Sequence, residues 1–305
     1  MFIVNRMPRR NVTVTMTEAD LLPEAPGCPI CGTTSVSRML TIQTAPYIHW
    51  ARCSGCRCGF ATRQPTVAFL NAYYAGYYDG DTERVHIAPE VLATHILRRC
   101  RLPNRRIRIL DFGGGDGSVA CAVATRLRAK GLEQADITVV DHNCVPNPRT
   151  PDFCKVTLVR ELPALEAGPK FDLVIASAVL EHVLDPGSAL TTIWGSMAPG
   201  GWFYARTPYA LPLASLLRRG GITFDLNYPA HMFDLGAEFW ASAPQRIAPH
   251  SGVSLSHAGP SLVETRFRDA PVRTTVAYVI KAPHRVLGRH YPFVGGWEVF
   301  MHRPT

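Results

Sequence analysis

The segment Ile109-Leu110-Asp111-Phe112-Gly113-Gly114-Gly115-Asp116-Gly117 carries the most chemistry for its length. An apolar run ends in an acid and then in glycines spaced G-x-G-x-G. Glycine reaches positive φ without a Cβ clash, so such a turn lets a ligand lie against bare backbone. A helix opening after the turn offers free N–H groups to an anionic group such as a carboxylate. Asp111 can accept a hydrogen bond from a ligand ammonium. The spacing differs from the G-x-G-x-x-G of dinucleotide sites. Twenty-four positions beyond Gly117 a second acid, Asp141, closes another β-branched run, where a carboxylate would take the two hydroxyls of an adenosine ribose. His142 follows it and can flank an adenine. Each acid alone is also an ordinary strand cap; their order is what points to a nucleoside.

Cysteines suggest a second chemistry. Cys28-Pro29-Ile30-Cys31-Gly32 and Cys53-Ser54-Gly55-Cys56 are two C-x-x-C pairs separated by 21 residues. Each pair brings two thiolates to one ion, and two pairs make a tetrahedral four-sulfur zinc site. Such a closed set leaves no open position, so the zinc is expected to be structural. Cys58 can stand in for Cys56, although the two-residue spacing favours Cys53 with Cys56. Five of the nine cysteines fall between Cys28 and Cys58, a distribution that speaks for metal against a disulfide framework. Cys100, Cys121, Cys144 and Cys154 are scattered and read as ordinary buried thiols.

Candidate proton acceptors lie in two places. Glu181-His182 follows an apolar run, and His231 sits in Asn227-Tyr228-Pro229-Ala230-His231-Met232-Phe233-Asp234. An imidazole can take a proton from an oxygen or carbon acceptor. His182 equally suits packing or capping at a helix start, and His231 a loop bonded to backbone. Arg206, Thr207, Tyr209 and Arg218 suit contacts with an anionic acceptor.

Holding these groups in place requires a sheet. Ile107–Phe112, Ile137–Asp141, Lys155–Val159, Phe171–Ala176 and Trp202–Ala205 read as strands, and Val119–Lys130 as a helix stopped by Gly131. Strands alternating with helices imply βαβ units and a parallel sheet. Upstream, Val67, Leu70, Tyr73 and Tyr74 form an apolar stripe, and a second helix is expected from Pro89 to Arg101. The chain divides into an N-terminal arm with a ribbon (1–64), a helical linker or cap (65–104) and a large α/β domain (105–305).

The net charge of +8 is carried almost wholly by arginine, with lysine only at 130, 155, 170 and 281. The arginines are scattered, which makes nucleic acid the lesser expectation for a partner. No run of about 18 apolar residues suggests a transmembrane helix, and Met1 to Asp20 lacks the apolar core of a signal peptide. A cytoplasmic protein is expected, and the pattern fixes no oligomeric state.

Taken in order, these motifs resemble the class I S-adenosylmethionine-dependent methyltransferase superfamily over about residues 105–303. The match extends through Phe171-Asp172-Leu173-Val174-Ile175-Ala176-Ser177-Ala178-Val179-Leu180-Glu181-His182-Val183, Asp185-Pro186 and Met197-Ala198-Pro199-Gly200-Gly201-Trp202. The set is most similar to the ubiquinone-methyltransferase-like branch, which includes enzymes acting on sugars and natural products. The resemblance implies an α/β fold, a Rossmann-like seven-stranded sheet whose last strand is antiparallel, with a small zinc ribbon before it. Strand six is then expected at Ser261–Arg268 and strand seven at Gly296–Met301. Between them a helical stretch, Val272–Leu287, is interrupted at Pro283; its apolar face can pack, line the acceptor pocket or lie on a membrane.

The implied cofactor is S-adenosylmethionine, bound by Asp111, Gly113, Gly115, Gly117, Asp141, His142, Ser177 and Tyr78. In ubiquinone O-methyltransferases the turn after strand four holds a divalent metal with two carboxylates and a histidine. Ala178 occupies the first carboxylate position here, so His182 is read as a base. Residues 227–234 resemble the Glu-His element of sugar methyltransferases with Ala230 in place of the glutamate, making His231 the preferred base, with Tyr228 beside it. The ribbon followed by Leu70-Asn71-Ala72-Tyr73-Tyr74-Ala75-Gly76-Tyr77-Tyr78 resembles sugar C-methyltransferases; a ribosomal-RNA guanine methyltransferase group also joins a ribbon to this fold. The expected activity is in-line methyl transfer to a small molecule, such as a sugar nucleotide or natural-product intermediate. An RNA substrate, or a cofactor-binding scaffold without turnover, are the alternatives.

Overall fold

The computed structural model describes residues 15–77, 88–142, 146–161, 168, 170–263 and 265–305. Near the N-terminus, β1 (Val36–Thr44) and β2 (Tyr47–Cys53) form an antiparallel hairpin, and β3 (Gly59–Ala61) returns along β2. Two helices follow, α1 (Val67–Tyr77) and α2 (Pro89–Leu97). Proline stands at the first turn of α2, where its missing N–H costs nothing.

The large sheet begins at β4 (Arg106–Phe112) and continues through α3 (Ser118–Arg128), β5 (Gln134–Val140), β6 (Cys154–Val159), β7 (Phe171–Ser177), α4 (Pro186–Gly195) and β8 (Met197–Tyr209). Then come α5 (Leu211–Arg219), β9 (Phe233–Asp234), α6 (Ala237–Ile247), β10 (Ser254–Pro260), α7 (Pro271–Lys281), α8 (His284–Leu287) and β11 (Gly295–His302). The seven strands lie in the order β10-β11-β8-β7-β4-β5-β6. All neighbours are parallel except β11, which runs antiparallel to both β8 and β10. This is the class I methyltransferase sheet.

Both faces of the central strands are buried, and the side chains divide by the two-residue period of a strand. Ile107 and Ile109 of β4 and Leu173 and Ile175 of β7 pack toward α2 and α3. Leu110, Val174 and Ala176 point the other way, into a cluster with Trp194, Phe239 and Trp240. Cys28, Cys53, Cys56 and Cys58 belong to that second cluster, so the ribbon rests on the core. It is also stitched in: β9 hydrogen-bonds to β3, giving the small sheet the order β1-β2-β3-β9.

One strand lies elsewhere than expected. Strand six is β10, at Ser254–Pro260, paired Ser254↔His302 through Pro260↔Trp297, and the described residues of the expected 261–268 segment form no strand. As an exposed edge strand, Ser-Leu-Ser-His-Ala-Gly-Pro needs no apolar alternation. The apolar signal at Leu262 and Val263 has another cause, since both line a cavity. Among the described residues no helix is long and apolar enough to cross a membrane.

Candidate active site

At the carboxyl end of β4 the chain turns through Gly113, Gly115 and Gly117, with φ of +69°, +57° and +74°. Space is as decisive as φ: a Cβ on Gly114 would collide with the Asp111 carboxylate, and one on Gly113 with Val179. The Gly113 N–H donates to Val140 O at 2.7 Å and the Gly115 N–H to Asp141 Oδ2 at 2.9 Å. The turn therefore ties the ends of β4 and β5 together and lies against the turn after β7. Asp111 is 2% exposed, and its Oδ2 has no hydrogen-bond partner. Burial pushes its carboxyl up to about 7, against a backbone N–H from Ala120 that pulls it down. Ser177 is buried with an unpartnered Oγ at the end of β7. An orphaned acid, an orphaned hydroxyl and a turn stripped of Cβ atoms fit a polar ligand carrying a cation. His142 is exposed beside half-buried Asp141, and Tyr78 lies outside the described residues.

Three further groups converge where β7 ends. Glu181 and His182 occupy a 3-10 turn, Leu180–His182, and His231 arrives from the segment before β9. One ligand atom from each lies within 4.8 Å of the others. The Met232 N–H donates to Glu181 O at 2.8 Å and the Ala61 N–H to Met232 O at 2.9 Å, so the ribbon helps hold His231. The two imidazoles meet edge to face at 4.7 Å. His182 Nδ1 lies 2.9 Å from Ala230 O, an acceptor only, so Nδ1 carries the proton and Nε2 the lone pair. The Tyr74 hydroxyl, 3.1 Å from the same nitrogen, can then share only that proton. Burial lowers His182 to about 4 and His231 well below the ordinary imidazole value. Glu181 is buried with Oε2 unpartnered, and burial raises it to about 7 while Arg206 pulls it down.

Ala178, Glu181 and His231 line a cavity of about 330 Å³. Arg206 and Thr207 of β8, residues 224–227, and Arg273, Ala277, Ile280 and Lys281 of α7 complete most of its wall, with Trp50 of β2. Thr207 is committed to structure: its hydroxyl donates to Leu235 O and accepts from Trp240 Nε1. Tyr209 and Arg218 are not among the lining residues. Arg273 and Lys281 are cations that sequence reasoning missed, because only folding brings α7 over the end of β8.

A family described as methyltransferase domain matches residues 84–258, more than half of the chain. The chain belongs to this family. A ubiquinone biosynthesis O-methyltransferase of Chromobacterium violaceum is 29% identical over 163 residues, covering 48% of this chain and 65% of its own. The corresponding protein of Methylobacterium nodulans is 33% identical over 110 residues, 35% of this chain and 43% of its own. A tRNA 5-carboxymethoxyuridine methyltransferase of Escherichia coli is 31% identical over 105 residues, 32% of this chain and 38% of its own. The chain thus spans less than two thirds of the length of these relatives. Among solved structures it is similar to magnesium protoporphyrin IX methyltransferase of Synechocystis (TM-score 0.43, 13% identity, 78% of this chain and 95% of that one).

Away from the cavity, the fold gathers the N-terminal cysteines. The sulfurs of Cys28, Cys31, Cys53 and Cys56 all lie within 4.8 Å of one another, with Cys28–Cys56 and Cys31–Cys53 at 3.5 Å. Four sulfurs around a zinc ion stand about 3.8 Å apart, given Zn–S near 2.3 Å, so this group suits one. The N–H groups of Gly55 and Cys56 point at Cys53 Sγ, at 3.2 and 3.4 Å. Cys58 is fully buried beside them, 3.5 Å from Cys28 and 3.4 Å from Cys56.

Tyr228 is the one candidate base-side residue that the fold turns elsewhere. Its hydroxyl donates to Arg63 O at 2.9 Å, and its ring packs on the small cluster of Met16, Leu21 and Ile48. The tyrosine that does reach the histidine pair is Tyr74 of α1. Its place in the tyrosine-rich stretch was visible in the sequence; its pairing with a residue 108 positions away was not.

Proposed function

We propose that this chain is an S-adenosylmethionine-dependent methyltransferase that acts on a small molecule, such as a sugar nucleotide or natural-product intermediate, seated in the cavity beside His231. The observation that carries the reading is the meeting of an imidazole pair, kept neutral by burial, with a cavity lined by charged groups of both signs where β7 ends. S-adenosylmethionine supplies an activated methyl group, so the protein's task is alignment and proton removal. Asp111 would take the cofactor's ammonium, the Gly113–Gly117 turn its carboxylate and Asp141 its ribose, with Ser177 and His142 at the edges. His231 lines the cavity and would accept the acceptor's proton; His182, anchored on Ala230 O, backs its ring. Arg206, Arg273 and Lys281 share the wall with Glu181, Asp225 and Asp234, which would suit an acceptor rich in hydrogen-bonding groups such as a sugar. The cysteine cluster would hold a structural zinc that fixes the ribbon, and through it the approach to His231.

Calorimetry on the zinc-replete protein tests the cofactor half. S-adenosylhomocysteine is expected to bind, and Asp141→Ala to weaken it at least about tenfold, the loss of one charge-assisted contact. A panel of sugar nucleotides and hydroxylated aromatic acids with labelled S-adenosylmethionine tests the acceptor half. Labelled product from a small acceptor, lost in His231→Ala with cofactor affinity intact, is expected. Product only from transfer RNA would replace this reading with the RNA one.

A further inference from the structure

The segment between β10 and β11 is laid on the surface in an unusual way. Within α7 only Thr274 is buried, and in α8 nothing is. The helix carries two stripes at helical spacing. Arg273, Ala277, Ile280 and Lys281 face the cavity. One position back, Val272, Val276 and Val279 are exposed, Val272 by 77% and Val279 by 64%. The bare surface continues past the break at Pro283 into Val286, 87% exposed, and Leu287. Phe267 and Tyr278, both exposed, stack on each other with ring centroids 5.6 Å apart. Single apolar residues on a surface need no explanation; a continuous set of this extent does.

The charges beside this surface are mostly basic. Arg266, Arg268, Arg285, Arg289 and His290 are exposed, and Asp269 is the only acid between 265 and 290. An apolar face with an arginine margin and an aromatic pair is the pattern of a helix lying in the headgroup layer of an anionic bilayer. The aromatic rings suit the boundary between lipid and water.

We infer that α7 and α8 dock this methyltransferase onto an anionic lipid surface, with the inner stripe of α7 walling the acceptor cavity while the outer stripe rests in the headgroups. The cavity then stands next to the bilayer, within reach of an acceptor whose apolar part remains in lipid. The docking itself does not depend on the acceptor or base assigned above, because it concerns residues that touch neither.

Flotation of the full zinc-replete chain with vesicles tests it. Partitioning onto equimolar phosphatidylglycerol and phosphatidylcholine is expected to exceed that onto phosphatidylcholine alone by at least about tenfold, on the order of a few arginines near an anionic surface. It should fall steeply when salt is raised from about 0.1 to 0.5 M. The double variant Val279→Asp with Val286→Asp should lose binding while keeping its Tm and its affinity for S-adenosylhomocysteine, since neither side chain is buried. Arg285→Gln with Arg289→Gln should lose the preference for phosphatidylglycerol. No flotation with anionic vesicles, or flotation undiminished in the valine variant, overturns the inference. So does a concentration-dependent dimer that the valine variant abolishes without vesicle binding, which would assign the face to a second copy of the chain.

Discussion

Two clusters of metal-ligand side chains stand in this protein in opposite states. In the ribbon, five sulfurs crowd one another and two backbone N–H groups point at Cys53 Sγ. At the end of β7, Glu181 keeps an unpartnered buried oxygen and His231 opens on a cavity. A saturated cluster returns stability to the fold. An unsaturated one costs stability, which is visible in the carboxyl pushed up and the imidazoles pushed down. The contrast separates architecture from chemistry without a bound ligand. The two are also mechanically joined, because β9 pairs with β3 and the Ala61 N–H reaches Met232 O, next to His231.

Breaking the closed cluster should have the largest effect. Cys53→Ser is expected to abolish zinc content by elemental analysis and to lower Tm by more than about 10 °C, since a structural zinc contributes folding energy directly. Turnover should fall with it through the β3–β9 pairing. Glu181→Gln, which removes a charge from the open cluster, should leave zinc and Tm unchanged or raise Tm. Equal losses in both variants would erase the contrast.

The open cluster should fail chemically while staying folded. His231→Ala is expected to reduce kcat by about 10²- to 10⁴-fold, with S-adenosylhomocysteine affinity within about twofold by calorimetry. Because burial favours the neutral imidazole, the acid limb of kcat/KM should lie below the ordinary histidine range. The stability contribution of neutral His182 is present above the ordinary value of 6.5 and is lost as pH falls toward about 4. Brief EDTA treatment, too mild to strip zinc from a four-cysteine site, should not change turnover. Activity lost there and restored by a divalent cation would make Glu181, His182 and His231 a metal site.

Asp111 sharpens the comparison from the cofactor side. Its folded-state carboxyl is raised from 3.8 to about 7, so the stability tied to its protonated form is present below about 4 and lost as pH rises through 7. Asp111→Asn is therefore expected to stabilise the ligand-free protein at pH 8 by roughly 2 to 4 kcal/mol, with the gain gone at pH 4. The same variant should weaken S-adenosylhomocysteine at least about tenfold. A loss of both stability and binding would mean that the carboxylate serves the fold.

How much of this was legible in the sequence depended on the distance between cause and residue. The turn after β4 and the paired cysteines are local: glycine spacing and C-x-x-C spacing carry the geometry within a few residues. The sheet was legible because buried parallel strands read as apolar runs. An edge strand has no such signature, so Ser254–Pro260 was passed over for the apolar residues beyond it that face the cavity. The histidines were found singly, but their meeting depends on β9 crossing to the ribbon sheet. The tyrosines show the same limit, since nothing within either segment says which hydroxyl turns toward His182.

The smallest predicted effects fall on those two tyrosines. Tyr228 spends its hydroxyl on Arg63 O and its ring on the cluster beneath the ribbon. Tyr228→Phe should therefore cost about 1 kcal/mol of stability in denaturant melts and leave kcat within about twofold. Tyr74 only shares a proton that His182 Nδ1 already gives to Ala230 O. Tyr74→Phe should leave the tautomer intact and change kcat by less than about threefold, less than one net hydrogen bond is worth. A loss near that of His231→Ala in Tyr74→Phe would show that the hydroxyl, and not the carbonyl, sets the imidazole. The lone pair would then sit on the other ring nitrogen, and the open cluster would have to be redrawn around α1.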